Sequence, residues 1–201
     1  MINRFQQARF VSMVFALFFA GTAQADWSLD NEASRLSFVT VKAEHVAEVH
    51  TFDSLSGSIV DNGTGGEESG DVDITIQLAS VNTLIPIRNE RMQEMLFETN
   101  LFPEAAISAS VNLEALTDMS AGASISRQIE IELEMHGESA DLVADVQITR
   151  TADGVVVSTL QPIVVMADVF DLIAGIEKLR EVAGLSSISR AVPVSFTVVF
   201  N

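Results

Sequence analysis

Runs in which apolar and polar residues alternate recur along most of this chain, and they constrain its fold more than any other feature. The clearest run places Val72, Ile74 and Ile76 around Asp73 and Thr75. Successive side chains of a β-strand point to opposite faces, so this period indicates strands with one face in water and the other in a shared interior. Further strand-like segments lie at residues 34–42, 45–60, 107–113, 128–135, 142–148, 155–166 and 192–200.

Short connections between these segments predict antiparallel pairing. Asn62-Gly63 and Asp153-Gly154 are hairpin signals, because both pairs supply the positive-φ positions that tight turns require. About eight strands in hairpin order can close into a barrel that holds one ligand. We therefore predict an all-β fold, an eight-stranded antiparallel barrel with two short helical inserts.

The first insert, residues 80–103, is the longest break in the alternation, and its middle is predicted to form a helix over one end of the barrel. Arg88 and Arg91 could hold a ligand headgroup there, since arginine suits phosphate and carboxylate groups. The alternative is a solvated helix face with local ion pairs. Met92, Met95 and Leu96 could form a deformable gate, and ordinary core packing is the alternative for all three.

The second insert changes period from two to that of a helix. Leu172, Ile176 and Leu179 follow helical spacing between residues 170 and 183, and Gly184 is a plausible residue just beyond the helix end. A helix is therefore predicted here, directly before the final strand.

The first 25 residues are predicted to be a cleavable export signal, and residues 26–201 one domain. Arg4 and Arg9 precede an apolar run at residues 10–20, and residues 23–25 end in a small-x-small pattern. A retained N-terminal anchor is the alternative, although the run is short for a bilayer span of about 20 residues. Export points to a bacterial periplasm or the extracellular space.

The charge of the chain argues against nucleic-acid partners. Without Arg4 and Arg9, nine basic residues face 28 acidic ones, a net charge of −19. Such a surface repels phosphate backbones and disfavours docking on anionic lipid through charge. The chain also has no cysteine, which excludes disulfides and thiol chemistry.

No pattern of catalytic residues is present, and no enzyme activity, metal or cofactor is expected. His45 and His50 would point to opposite faces of one strand, so they do not converge. A metal site built from His50, Glu48 and His136 is a weaker hypothesis than ordinary strand histidines. The acidic loop at residues 61–71 lacks regular calcium-ligand spacing and is interpreted as a solvated loop.

Several segments together resemble the YceI-like family of exported, lipocalin-like barrels. Residues 30–38 (DNEASRLSF) resemble its opening strand, and residues 51–59 (TFDSLSGSI) its second. Residues 73–103 resemble its strand, Arg-led helix and Leu-Phe-Pro sequence, and residues 133–137 (LEMHG) its Leu-Thr-Ile-His-Gly hairpin. The family's Arg-Asp at the helix start is replaced by Arg88-Asn89.

The resemblance implies a lipocalin-like barrel that encloses a polyisoprenoid or a similar long-chain lipid without catalysis, in the periplasm. It implies no nucleic-acid partner and no stable membrane insertion, and it leaves a homodimer open. The mouth would comprise Arg88, Arg91, Met92 and Met95. The inward strand residues expected to line the tunnel are Phe38, Ile74, Ile76, Ile107, Val111, Ile131, Leu133 and Phe196.

Two other classes of protein are weighed against this one. The barrel could be filled by side chains and act as a stress-related or partner-binding module without a lipid. An outer-membrane barrel is the other class, but such barrels need aromatic girdles at both interfaces, and this chain has no tyrosine and one tryptophan.

Overall fold

The computed structural model describes residues 26–201, so the predicted export signal lies outside the described residues. These residues form a single antiparallel sheet of twelve strands. In chain order the strands are β1 Trp27–Ser28, β2 Arg35–Lys42, β3 Val46–Phe52, β4 Leu55–Asp61, β5 Gly70–Gln77, β6 Val81–Asn82, β7 Glu104–Val111, β8 Ser124–Met135, β9 Glu138–Arg150, β10 Val155–Thr159, β11 Ile163–Met166 and β12 Ala191–Phe200.

The sheet curls so that β1 meets both β4 and the end of β12. Its strand order is β1-β4-β5-β7-β8-β9-β10-β12-β2-β3-β6, and β11 pairs with β12 beside this path. Ser28 and Asn201 exchange two backbone hydrogen bonds of 2.9 Å, and the N–H of Asp30 donates to the Val199 carbonyl at 2.8 Å. The prediction of an all-β, antiparallel, lipocalin-like architecture is confirmed.

The strand count is twelve in place of the predicted eight. Two predicted strands are each divided, residues 45–60 between β3 and β4 and residues 155–166 between β10 and β11. Pro162 lies in the second gap, where its missing N–H cannot support a ladder. The other two strands, β1 and β6, are two residues long, which is too short for a periodic pattern.

Three α-helices accompany the sheet in the described residues: α1 Pro86–Arg91, which continues as a π-helical turn over Met92–Leu96, α2 Leu113–Thr117, and α3 Ile173–Val182. Single 3-10 turns lie at Gly66–Glu68 and Leu78–Ser80. The two predicted helical inserts are α1 and α3. Helix α2 was not predicted, and its first residue, Leu113, had been assigned to the end of a strand. Asn112 begins it, because the side-chain oxygen accepts a 2.7 Å hydrogen bond from the Ala115 N–H.

The interior contains two separate apolar clusters. One packs Trp27, Val155 and Phe200 with the buried leucines of α2 and fills one half of the barrel. The other gathers Phe38 and Phe170 with inward strand residues and the two helical inserts. The first cluster plugs its half of the barrel with side chains, whereas the half that α1 and α3 cover contains a cavity.

No helix within residues 26–201 is both long and apolar enough to cross a membrane.

Candidate binding cavity

A cavity of about 420 Å³ occupies the half of the barrel under α1 and α3. This volume lies within the range of roughly 300–1,000 Å³ that is typical of small-molecule sites. Its wall is the inward face of the sheet, which carries aliphatic and aromatic side chains at every second strand position. The strand residues that supply this apolar wall are Leu36, Phe38, Phe52, Ile76, Ala105, Ile107, Ile131, Leu133, Met135, Leu142, Ile163, Val165, Val192, Val194 and Phe196.

The two helical inserts close the cavity by packing against each other. Met92 and Leu96 reach it from the π-helical turn, and Leu172, Ile176 and Leu179 reach it from α3 and its start. Gly175 makes the close approach possible. A Cβ atom built on this residue would lie 2.5 Å from the Met95 carbonyl oxygen and 2.7 Å from the Leu96 Cα.

The cavity opens to solvent beside the start of α1. Ile85 and Ile87 both line it, yet they remain 41% and 53% exposed. Ala183, just past α3, is an exposed lining residue as well. The opening therefore lies between α1, the end of α3 and the hairpin that joins β2 to β3.

A small charged group lies at this opening. The Glu48 carboxylate pairs with Lys42 Nζ at 2.6 Å and with Arg88 Nη1 at 2.8 Å, and all three side chains are partly exposed. Its hydrogen bond with Lys42, together with both positive charges, lowers the pKa of Glu48 despite partial burial. Arg91 also lines the cavity, and it forms no ion pair with another residue of the described range. The cavity lining thus carries three cations, Lys42, Arg88 and Arg91, and one carboxylate, Glu48, an excess of positive charge that suits an anionic group.

His50 is a polar residue deep in the wall, beside Thr40, and it is only 3% exposed. Its Nε2 lies 2.9 Å from Thr40 Oγ1, whereas its Nδ1 is buried without a partner. Burial and then the nearby Arg88 charge lower the pKa of His50, so the ring is neutral at pH 7. His50 is therefore a buried residue of the wall, and the unpartnered Nδ1 makes its burial energetically unfavourable.

Most of the residues predicted for the tunnel and mouth lie on this cavity. The structure places Phe38, Ile76, Ile107, Ile131, Leu133, Phe196, Arg88, Arg91 and Met92 in its lining. Ile74 and Val111 face the same interior but pack against the cluster that plugs the other half. Met95 is not in the lining either, and its backbone instead contacts α3 at Gly175.

Sequence reasoning missed Lys42 and Glu48 as parts of the opening, together with residues 183–189 after α3. Alternation alone does place Lys42 on the inward face of β2, four residues beyond Phe38. Nothing local in the sequence places that strand end next to α1, since the two segments meet only through the fold.

The histidines do not form a metal centre. Within residues 26–201 no group of three or more histidine, aspartate or glutamate side chains is arranged to hold a metal ion. His136 instead lies 3.2 Å from Glu98 and packs on the Phe102 ring at a centroid distance of 4.3 Å. This contact ties the segment after the π-helical turn to the β8–β9 hairpin.

Comparison with known proteins agrees with this architecture. The model of the YceI-like domain matches residues 27–200. A polyisoprenoid-binding domain from Saccharophagus degradans, implicated in plant cell wall breakdown, is 36% identical; the match covers 87% of this chain and 97% of that one, with a TM-score of 0.80. BcnA from Burkholderia cenocepacia shares the fold at 17% identity, with a TM-score of 0.64 and coverage of 85% and 98%. No curated protein sequence matches.

The family match spans nearly all of the described residues, and the sequence motifs and the half-open barrel lead to the same assignment. This chain belongs to the YceI-like family.

Proposed function

We propose that this chain is an exported, non-catalytic carrier that encloses a polyisoprenoid or a similar long amphiphile in the cavity under α1 and α3. The observation that carries the proposal is the form of the cavity. Its strand wall is mostly apolar, with Thr40 and His50 as uncharged polar residues, and its charged residues lie at the opening. A linear hydrocarbon chain with one polar end matches that division. The similarity to a polyisoprenoid-binding domain from Saccharophagus degradans adds support.

The amphiphile's headgroup would lie at the opening beside Arg88 and Arg91. Glu48 already occupies one side of Arg88, so Arg91 is the cation left to bind an anionic headgroup. Phe38, Ile76, Ile107, Ile131, Leu133 and Phe196 would hold the apolar chain, and Met92 would adapt to its shape. A periplasmic location follows from the predicted export signal.

A barrel filled by side chains, acting as a partner-binding module, is the alternative. Packed protein interiors hold few voids larger than a water molecule. A cavity of about 420 Å³ lined by apolar side chains fits that alternative poorly.

Native mass spectrometry of the protein purified from the periplasm, followed by organic extraction, tests the proposal. We expect a mass above that of the chain alone and an extractable prenyl lipid. A mass equal to that of the chain, with no extractable lipid and no uptake of added prenyl chains, would overturn the proposal. The same spectra report whether the protein is a monomer or a homodimer.

Headgroup binding is tested with Arg91→Gln and its control Arg127→Gln, an exposed arginine on β8 whose guanidinium bonds only to the neighbouring Ser126 carbonyl. We expect R91Q to weaken retention of an anionic amphiphile and R127Q to leave it unchanged. Equal retention by both variants would remove Arg91 from the site.

A further inference from the structure

Four consecutive apolar residues, Leu84, Ile85, Pro86 and Ile87, are exposed at the opening of the cavity. Leu84 is 86% exposed, the largest exposure of any large apolar side chain in the described residues. Ile85 and Ile87 are at once exposed and part of the cavity lining. The cavity wall therefore continues onto the surface as an apolar rim, which we call the LIPI rim.

The LIPI rim is held in place on both sides. The Asn89 side-chain oxygen accepts from the Thr83 N–H at 2.9 Å and from the Thr83 hydroxyl at 2.7 Å. The Leu84 N–H donates to the Asn82 side chain at 2.9 Å. These bonds present the apolar side chains to solvent in a defined conformation.

Stability of the fold does not account for Leu84. Its φ of 63° lies in the left-handed region, which is unfavourable for a leucine and natural for glycine. The side chain buries almost nothing in return, so it adds little to the core. A strained apolar side chain at the edge of an apolar cavity of about 420 Å³ indicates a surface that is covered by something apolar.

The charges beside the LIPI rim suit a phospholipid surface. Lys42, Arg88 and Arg91 outnumber Glu48 at the opening, whereas the whole chain carries a net charge of −17. Glu90 is exposed on the same helix, so attraction to lipid phosphates is modest and apolar insertion has to supply most of the binding. Repulsion between anionic lipid and the acidic rest of the surface would turn the opening toward the bilayer, but it would not add to the binding affinity.

We infer that the LIPI rim inserts into the headgroup region of a phospholipid bilayer and so places the cavity opening on the membrane surface. A long amphiphile could then pass between bilayer and cavity without exposing its apolar chain to water. This transfer rests on the proposed function, whereas insertion of the rim does not.

Site-specific fluorescence tests the insertion directly, because the chain has no cysteine of its own. Leu84→Cys, labelled with an environment-sensitive fluorophore, is mixed with vesicles of phosphatidylethanolamine and phosphatidylglycerol, and separately with phosphatidylcholine vesicles. Leu101→Cys is the matched control, since Leu101 is 72% exposed and lies outside the cavity lining. We expect a blue shift for the label at position 84 with both vesicle types and none at position 101. No shift at position 84, or equal shifts at both positions, would overturn the inference.

Vesicle co-sedimentation separates insertion from folding. Leu84→Gly removes the side chain while glycine accepts the positive φ, so the thermal stability is expected to be kept. We expect L84G to lower vesicle partition about tenfold and the control L101G to leave it unchanged. Unchanged partition for L84G would contradict the inference. The wild-type protein is also tested for uptake of a prenyl chain presented in detergent. If it takes up the chain but does not bind vesicles, membrane docking is refuted and the carrier function is not.

Discussion

Gly175 provides the sharpest test of how the two helical inserts close the cavity. It lies in α3, where alanine is intrinsically favoured over glycine by about 1 kcal/mol. Helix propensity alone therefore predicts that Gly175→Ala stabilises the protein. The structure predicts the opposite, because the added methyl would meet backbone atoms at 2.5 Å and 2.7 Å where ordinary contact begins near 3.4 Å.

The expected loss of stability follows from how far the added methyl group must move to reach an ordinary contact distance. Helix α3 would have to move by almost 1 Å from the π-helical turn, and overpacking of this kind costs about 1–3 kcal/mol. After the propensity gain, we expect G175A to lower the free energy of unfolding by about 1 kcal/mol. The melting temperature should fall by about 2–4 °C for a chain of this size.

Urea unfolding monitored by circular dichroism measures the change, with Ala174→Gly as the control in the same helix. Ala174 is exposed, so A174G reports helix propensity without a steric effect and should cost about 1 kcal/mol. A G175A protein more stable than wild type by the amount that A174G loses would refute the close packing of α3 on residues 95 and 96.

His50 in the cavity wall, Glu48 at the opening and Asn89 in α1 each lead to a further prediction. The pKa of buried His50 is lowered from 6.5, so the unfolded chain binds the proton more readily than the folded one. The free energy of unfolding should therefore decrease as the pH falls below about 6.5. His50→Leu should remove this decrease, which urea titrations at pH 7.5 and 5.5 would measure. Glu48, whose pKa is lowered from 4.5, stabilises the fold above that pH and loses its contribution as the pH falls further, so Glu48→Gln should flatten this acidic part of the same profile. Because the Glu48 charge also raises the pKa of His50, E48Q should lower that pKa further and keep the His50 slope. Asn89→Ala removes both hydrogen bonds to Thr83 and should cost about 1–2 kcal/mol, whereas Asn89→Asp, which keeps the accepting oxygen, should cost less by the same assay.

The sequence pattern predicted the inward face of the strands but not the depth of each residue along them. Ile74 and Ile76 alternate identically on β5, yet Ile76 lines the cavity and Ile74 packs in the plug. The difference is made by Trp27 and the leucines of α2, which come from distant parts of the chain and fill only one half of the barrel. A period of two carries no information about such a plug.

For the helical inserts too, the sequence pattern predicted which face turns inward but not the contacts between distant segments. Helical spacing at Leu172, Ile176 and Leu179 identified the face of α3 that turns to the interior. The contact of Gly175 with the π-helical turn joins segments 80 residues apart, and no local pattern reports it. In the π-helical turn, Leu96 lines the cavity and Met95 does not, a difference that regular helical spacing does not predict.

A bulky side chain placed inside the cavity tests whether the lipid binds there. Ile131→Trp adds an indole to the cavity wall, and Val143→Trp adds the same group on the neighbouring strand at a side chain that is 52% exposed and outside the lining. The measurement is the amount of prenyl lipid that each purified variant carries, determined by native mass spectrometry. We expect I131W to lose most of the lipid and V143W to keep the wild-type amount. Full lipid loading of a folded I131W protein would show that the cavity under α1 and α3 is not the binding site.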